Sequence, residues 1–220
     1  EFRRVLFRSW PLPWLFLAIM VFQITFYPPA MNDSLCYRLP RIFLWLQQNT
    51  LSSTNAPDPR MVEMPWNWEL IALPLVALNA VTLVPILNLV AWIAFYILTY
   101  HWAISAGSGI SRARWLSLAM SSAPVCLLQA TSTANDLFAA VLLMISFHFL
   151  SRPEHYPYSR RILISLLSFM LACGTKPHFL VLGAGWFALW ICNHPKNWKP
   201  TKNYPLFIFG LLALLVSPLP

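Results

Sequence analysis

The apolar positions of this chain lie in long runs that short polar segments separate. Residues 10–27 form the first run, residues 28–64 are mainly polar, and residues 83–106 form a longer apolar run. A transmembrane helix needs about 20 consecutive apolar residues, which residues 83–106 supply. The pattern predicts an all-α protein, built as a polytopic bundle of transmembrane helices.

The remaining apolar runs are shorter, so their helices are expected to extend into the flanking polar turns. They are residues 115–130, 137–150, 162–174, 179–192 and 204–216. Residues 65–81 are also apolar but contain Glu69 and Pro74, which favours an interfacial or half-inserted helix. Two full spans between residues 65 and 106 are the alternative. We predict about six to seven spans in all and a long outer loop, residues 28–82.

Composition supports a membrane protein. Charged residues make up 10% of the chain and hydrophobic residues 58%, whereas a soluble domain carries about 25% charged residues. The formal net charge is +8, but the basic residues lie in short loops between apolar runs, which argues against nucleic-acid binding. The four cysteines have no CxxC or Cys/His spacing, so we expect neither a zinc site nor a disulfide framework.

The two ends of the chain suggest that it is a fragment. Residues 1–9, EFRRVLFRS, resemble the translation of a sequencing adapter, and we set them aside as an artefact. No initiator Met is present, and the chain stops just after an apolar run. We therefore expect residues 10–220 to be the N-terminal part of a transmembrane domain that is inactive as cut.

The basic residues are concentrated in alternate loops. Loops 107–115, 151–161 and 193–203 hold eight Lys or Arg and one acid. The other polar segments, residues 28–64, 131–136 and 175–178, hold four Lys or Arg and four acids. The positive-inside rule places the first set in the cytoplasm and the loop that contains Asp33 outside. The alternation holds only if residues 65–81 do not form a full span.

The polar segment after the first run contains a helical pattern of its own. Apolar and aromatic side chains recur at helical spacing directly behind Asp33, at Leu35, Leu39, Ile42, Phe43, Trp45 and Leu46. Aromatic side chains favour the depth of the lipid headgroups. We predict a short amphipathic helix that lies in the membrane interface.

Two short polar tips are predicted on the same side of the membrane as Asp33. One ends in Asn135 and Asp136, and the other contains Lys176. Ionisable groups near a bilayer are unfavourable unless they are paired or hydrated, so three polar segments on one face predict an outward-facing cavity. Two simpler interpretations stay open. Asp136 could cap the helix that follows it. The aliphatic part of the Lys176 side chain could extend so that its ammonium group reaches the lipid headgroups.

The stretch NDSLCYRLPRIFLWLQQN, residues 32–49, resembles the first extracytoplasmic loop of GT-C fold glycosyltransferases. The similar group is the bacterial relatives of the protein O-mannosyltransferases. Residues 129–136, residues 174–176 and the segment from Arg60 to Glu69 also resemble segments of that family. Arg38 departs from the family pattern, which commonly has His at this position.

The resemblance implies transfer of a sugar from a polyprenyl-phosphate-sugar donor to a lipid, glycan or protein acceptor, with inversion. It implies Asp33 as the general base, because the acceptor hydroxyl must lose a proton. The residues implied to bind the lipid phosphate or the acceptor are Tyr37, Arg38, Arg41, Arg60, Glu63, Asn135, Asp136 and Lys176. The cationic residues among them would stabilise the negative charge of the departing phosphate. The implied location is the bacterial inner membrane, with the site facing the periplasm or the exterior.

Several alternatives remain at the level of sequence. Asp33, Asp58, Glu63 and Asp136 could supply oxygens to a divalent metal ion, and the family differs in metal use, so no cofactor is assigned. Arg38 and Arg41 could instead form a helix face that touches lipid headgroups. A transporter or lipid-carrier flippase would use Asp33, Asp136 and Lys176 to line a pathway, but it usually shows repeated halves, which this sequence lacks. A non-catalytic membrane scaffold is the third possibility.

Overall fold

The computed structural model describes residues 11–29, 31–51, 56–151, 157–183 and 185. Every element in these ranges is helical, which confirms the predicted all-α class for that part of the chain. The chain divides into two compact units. The first comprises Glu1–Met61 and Glu69–Phe138, and the second comprises Val62–Trp68 and Ala139–Pro220.

The α-helices are numbered in chain order. They are α1 Pro11–Phe26, α2 Leu39–Gln48, α3 Arg60–Glu63, α4 Asn67–Ala77, α5 Ile86–Ser105, α6 Ile110–Ser121, α7 Pro124–Ala130, α8 Asp136–Ser151 and α9 Tyr158–Cys173. A π-helical turn, Ser34–Arg38, precedes α2, and a 3-10 turn, Val81–Leu83, precedes α5. The predicted runs that begin at residues 10, 83, 137 and 162 correspond to α1, α5, α8 and α9.

One helical segment in the described ranges is long and apolar enough to cross a membrane: Val81–Ser105, with 25 residues. Three shorter apolar helices accompany it: Pro11–Phe26, Asn67–Ala77 and Asp136–Ser151. Helix α4 has 11 residues, or about 16 Å at 1.5 Å per residue, against a hydrocarbon core of about 30 Å. Helix α4 by itself is therefore too short for a second full span, and the half-inserted placement of residues 65–81 stays a prediction.

The prediction of one helix over residues 115–130 is wrong. The chain forms α6, turns at Ser122 and Ala123, and continues as α7 from Pro124. A proline inside a helix lacks the N–H that would bond the preceding turn, and its ring clashes with the carbonyl four residues earlier. Ala123 accordingly has the extended ψ of 135° that a residue before proline prefers. The predicted basic loop 107–115 also becomes mostly helix, since α6 begins at Ile110.

Helix α5 organises the first unit. It packs against α6 and α7, and Trp92 donates its indole N–H to the carbonyl of Ser121 at 2.8 Å. The buried Asn88 amide donates to the carbonyls of Ser132 and Ala134 at 2.7 and 2.5 Å. The polar turn between α7 and α8 is therefore fixed to α5 by a single side chain.

Asn88→Ala is expected to lower the free energy of unfolding by about 1–3 kcal/mol, because two buried carbonyls lose their donor. Urea unfolding in detergent, followed by tryptophan fluorescence, measures the change. Val90→Ala on the same helix is the control, since Val90 is 59% exposed. Equal destabilisation by the two substitutions would contradict the role of Asn88.

In the second unit, α8 and α9 share a small apolar core of Ala139, Leu143, Ala172, Cys173 and Phe179. The Ser165 hydroxyl donates to the carbonyl of Ser146 at 2.9 Å and links the two helices. After α9, Gly174 accepts a backbone hydrogen bond from Asn67 at 3.2 Å. A Cβ at Gly174 would collide with the end of the Asn67 side chain, which would have to move to admit it.

Some predictions concern residues outside the described ranges. They are the adapter-like residues 1–9, most of the span at 179–192, the basic loop 193–203 and the span at 204–216. The total number of spans therefore stays a prediction.

Candidate functional site

Asp33 lies at the start of a helical run that continues through residue 48. Within this run the Leu39 N–H bonds to the carbonyl of Ser34, five residues earlier, in the π-helical turn. Pro40 follows directly, and its ring and missing N–H disfavour a regular α-turn at this point. The widened turn relieves that conflict, and such turns often occur at functional sites. The run ends at Asn49, whose left-handed φ of 50° caps α2.

The Asp33 carboxylate is partly open to solvent and has three polar neighbours. Its side chain is 46% exposed. The Tyr37 hydroxyl donates to Oδ2 at 3.0 Å. Arg38 Nη2 lies 4.0 Å from Oδ2, and Arg60 Nη1 lies 3.9 Å from Oδ1. The tyrosine therefore orients the carboxylate by a direct hydrogen bond, while the two arginines flank it at longer range.

Behind Asp33 lies a buried ionic cluster that contains Arg38, Arg41, Glu69 and Asn135. Arg38 is 2% exposed, and Arg41 and Glu69 are fully buried. Glu69 Oε1 lies 3.3 Å from Arg38 Nη1 and 3.7 Å from Arg41 Nη1. Arg38 Nη2 donates to Asn135 Oδ1 at 2.8 Å. One buried carboxylate oxygen thus faces two guanidinium groups.

Arg60 brings a further cation to the open side of the site. Its guanidinium donates to both oxygens of Asp58, at 2.7 Å for the shortest contact. These hydrogen bonds raise the pKa of Arg60 and lower the pKa of Asp58. The Arg41 guanidinium donates to the backbone carbonyl of Arg60. Arg41 therefore links the buried cluster to the partly exposed Arg60 by a hydrogen bond.

Tyr37 is enclosed by the same groups. Its side chain is 4% exposed, and the guanidinium carbons of Arg38 and Arg60 lie 5.0 and 4.8 Å from its ring centroid. Burial raises the pKa of Tyr37 to about 12 from its ordinary 10.0, while Arg38 opposes the shift and Asp33 adds to it. The phenol therefore keeps its proton and donates to Asp33 across the physiological pH range.

This shift predicts a loss of stability at alkaline pH. The unfolded chain loses the Tyr37 proton near pH 10 and the folded protein near pH 12, so the stability contributed is complete below pH 10 and falls as pH rises through that interval. Two pKa units correspond to about 2–3 kcal/mol. Thermal unfolding of the parent protein and Tyr37→Phe across this range measures it. The parent curve is expected to fall more steeply, and parallel curves would contradict the linkage.

The structure brings five of the predicted site residues together in the first unit: Asp33, Tyr37, Arg38, Arg41 and Arg60, with Asn135 joining them through Arg38. Burial of Arg38 and Arg41 excludes the alternative in which they form a headgroup-facing surface. Arg38, which departs from the family pattern, has well-defined contacts to Glu69 and Asn135.

Other predictions for this region have mixed outcomes. Leu39, Ile42 and Trp45 are buried as one face of α2, whereas Leu35, Phe43 and Leu46 are exposed. Asp136 begins α8 and accepts from Gln129 Nε2 at 3.5 Å, and Gln129 Oε1 accepts from the Leu137 N–H at 2.5 Å. Gln129 therefore satisfies one donor at the helix start. Glu63, which is exposed, and Lys176, which is half-buried, belong to the second unit, and their binding roles stay predictions.

Glu69 is the residue that the sequence analysis did not assign to the site. An acid inside an otherwise apolar run was the available signal, because such a group must find a cation when buried. Within the described ranges, no three His, Cys, Asp or Glu side chains are grouped closely enough to hold a metal ion. No family model, curated protein or solved structure matches this chain.

Proposed function

We propose that this chain is part of a membrane glycosyltransferase that moves a sugar from a polyprenyl-phosphate-sugar donor to a lipid, glycan or protein acceptor. Asp33 acts as the general base, and the reaction inverts the anomeric carbon. The observation that carries the proposal is the half-exposed Asp33 carboxylate, which Tyr37 orients and two arginines flank. The resemblance of residues 32–49 to the GT-C glycosyltransferases supports the same assignment.

The proposed reaction is a single displacement. The acceptor oxygen forms a bond to the anomeric carbon, and its proton passes to Asp33. The bond between the anomeric carbon and the phosphate oxygen breaks, and its electron pair leaves with the polyprenyl phosphate. Phosphate is a good leaving group, so the protein mainly has to remove the acceptor proton and balance the departing charge.

The geometry supports a division of roles among the cations. Arg60 is 39% exposed and lies beside Asp33, so it can meet a phosphate on the open side. Arg38 and Arg41 are buried, and they hold together the buried ionic cluster behind Asp33. The sequence resemblance, and not the geometry, makes Lys176 a further candidate for the lipid phosphate, as a point charge. Asn135 and Tyr37 orient Arg38 and Asp33.

The proposed setting is a polytopic bundle of about six to seven spans in a bacterial inner membrane, with Asp33 on the outer side. The long helix Val81–Ser105 and the three shorter apolar helices support a membrane location. The unequal distribution of Lys and Arg among the loops supports the orientation.

A reconstitution experiment separates this proposal from a lipid-carrier flippase. The complete protein that carries this sequence is placed in vesicles with undecaprenyl-phosphate-linked radiolabelled mannose or glucose and with a membrane lipid and protein extract as the source of the acceptor, and lipids are extracted over time. A transferase converts the labelled lipid into free undecaprenyl phosphate and a labelled acceptor product. A flippase moves intact labelled lipid between leaflets without breaking the bond, and that result would contradict the proposal.

A further inference from the structure

Glu69 is fully buried on α4, and its carboxylate lies among cations rather than beside the solvent. Neighbouring side chains on the same helix, Ala72 and Val76, are buried as well. A carboxylate in such surroundings is stable only with close positive partners. Arg38 and Arg41 supply them at 3.3 and 3.7 Å.

Arg38 lies between two carboxylates of different exposure. Its Nη1 faces the buried Glu69 at 3.3 Å, and its Nη2 faces the half-exposed Asp33 at 4.0 Å. One N–H of Nη2 donates to Asn135 at 2.8 Å. Glu69 and Asn135 therefore compete with Asp33 for the same guanidinium group, and they hold it beyond hydrogen-bond distance from Asp33.

Resting on the function proposed above, we propose that Glu69 is a positioning residue of the site. It holds Arg38 in the buried cluster, so that Arg38 stays beside Asp33 but does not form a direct ion pair with the Asp33 carboxylate. Without Glu69, the carboxylate of Asp33, 4.0 Å from Nη2, still attracts Arg38, and Arg38 rotates toward it. Once paired with Arg38, the Asp33 carboxylate is a weaker base. The hydroxyl of the sugar acceptor also loses access to it.

The test compares two variants that differ only at position 69. Arg41→Gln keeps Glu69, whereas Arg41→Gln with Glu69→Gln removes one buried charge of each sign and so keeps the cluster balanced. Arg38 accessibility is read by phenylglyoxal modification of the complete protein in detergent, with peptide mass spectrometry. Arg112 is exposed and serves as the internal reference for reagent activity. Initial rates of undecaprenyl phosphate release give kcat and KM for the donor.

The double variant is expected to expose Arg38 to phenylglyoxal, while Arg41→Gln keeps it protected. Its kcat is expected to fall about 10- to 100-fold below that of Arg41→Gln, with a similar KM, as is typical when a supporting contact is lost. If the double variant fails to fold, Glu69→Asp takes its place: its carboxylate is one methylene shorter and reaches Arg38 less well, so Arg38 is expected to react more with phenylglyoxal than in the parent protein.

The outcomes also separate this inference from the proposed function. Suppose that Arg38 becomes exposed in the double variant but the parent protein releases no undecaprenyl phosphate. This result would support the positioning of Arg38 by Glu69 and contradict the transferase. Arg38 equally protected in both variants would overturn the positioning role, whatever the activity. If Glu69→Asp is the variant that folds, protection of Arg38 equal to that in the parent protein would overturn that role as well.

Discussion

Glu69→Gln alone is expected to lower the free energy of unfolding by about 3–5 kcal/mol, because it leaves two buried guanidinium groups without their common carboxylate. Glutamine has nearly the same volume, so the loss comes from charge and not from a cavity. Arg38 keeps Asn135 and Arg41 keeps the carbonyl of Arg60, but neither of these partners carries a negative charge. Mutual repulsion of the two cations adds to the effect.

Chemical unfolding in detergent, followed by tryptophan fluorescence, measures this change. Glu63→Gln is the matched control, because it removes an exposed carboxylate in the same part of the chain. Exposed substitutions of this kind usually stay within about 0.5 kcal/mol. Similar unfolding curves for the two variants would contradict the claim that the buried cluster stabilises the fold.

The helices of this protein are largely predictable from its apolar pattern. Runs beginning at residues 83 and 137 become α5 and α8 with boundaries close to those expected, because long apolar segments have few alternatives to helix. The break at Pro124 shows where the pattern is insufficient. Hydrophobicity continues through that position, while backbone sterics end the helix.

The site is predictable only in part. Asp33, Arg38 and Arg41 lie close together in the sequence, so a helical arrangement already places them near one another. The contacts of Arg38 with Asn135 and Glu69 join residues separated by 97 and 31 positions, and no local pattern encodes such pairings. The sequence alone leaves open whether Arg38 touches lipid headgroups, and its burial in the structure excludes that role.

Under the proposed mechanism, Asp33→Asn is expected to reduce the turnover number by about 10²- to 10⁴-fold, the usual contribution of a general base. The amide oxygen of asparagine can still accept from Tyr37, so local structure is expected to persist. The amide cannot take the acceptor proton, so the chemical step fails while donor binding remains. KM for the donor is therefore expected to change little. Asp33→Glu, which retains a carboxylate at a shifted position, is expected to keep intermediate activity.

The most direct test of the central claim is the initial rate of undecaprenyl phosphate release by the complete protein and its Asp33→Asn variant, at equal amounts of folded protein. The account predicts release by the parent and a rate at least about 100-fold lower in the variant. Equal rates in the two proteins would contradict the assignment of Asp33 as the base.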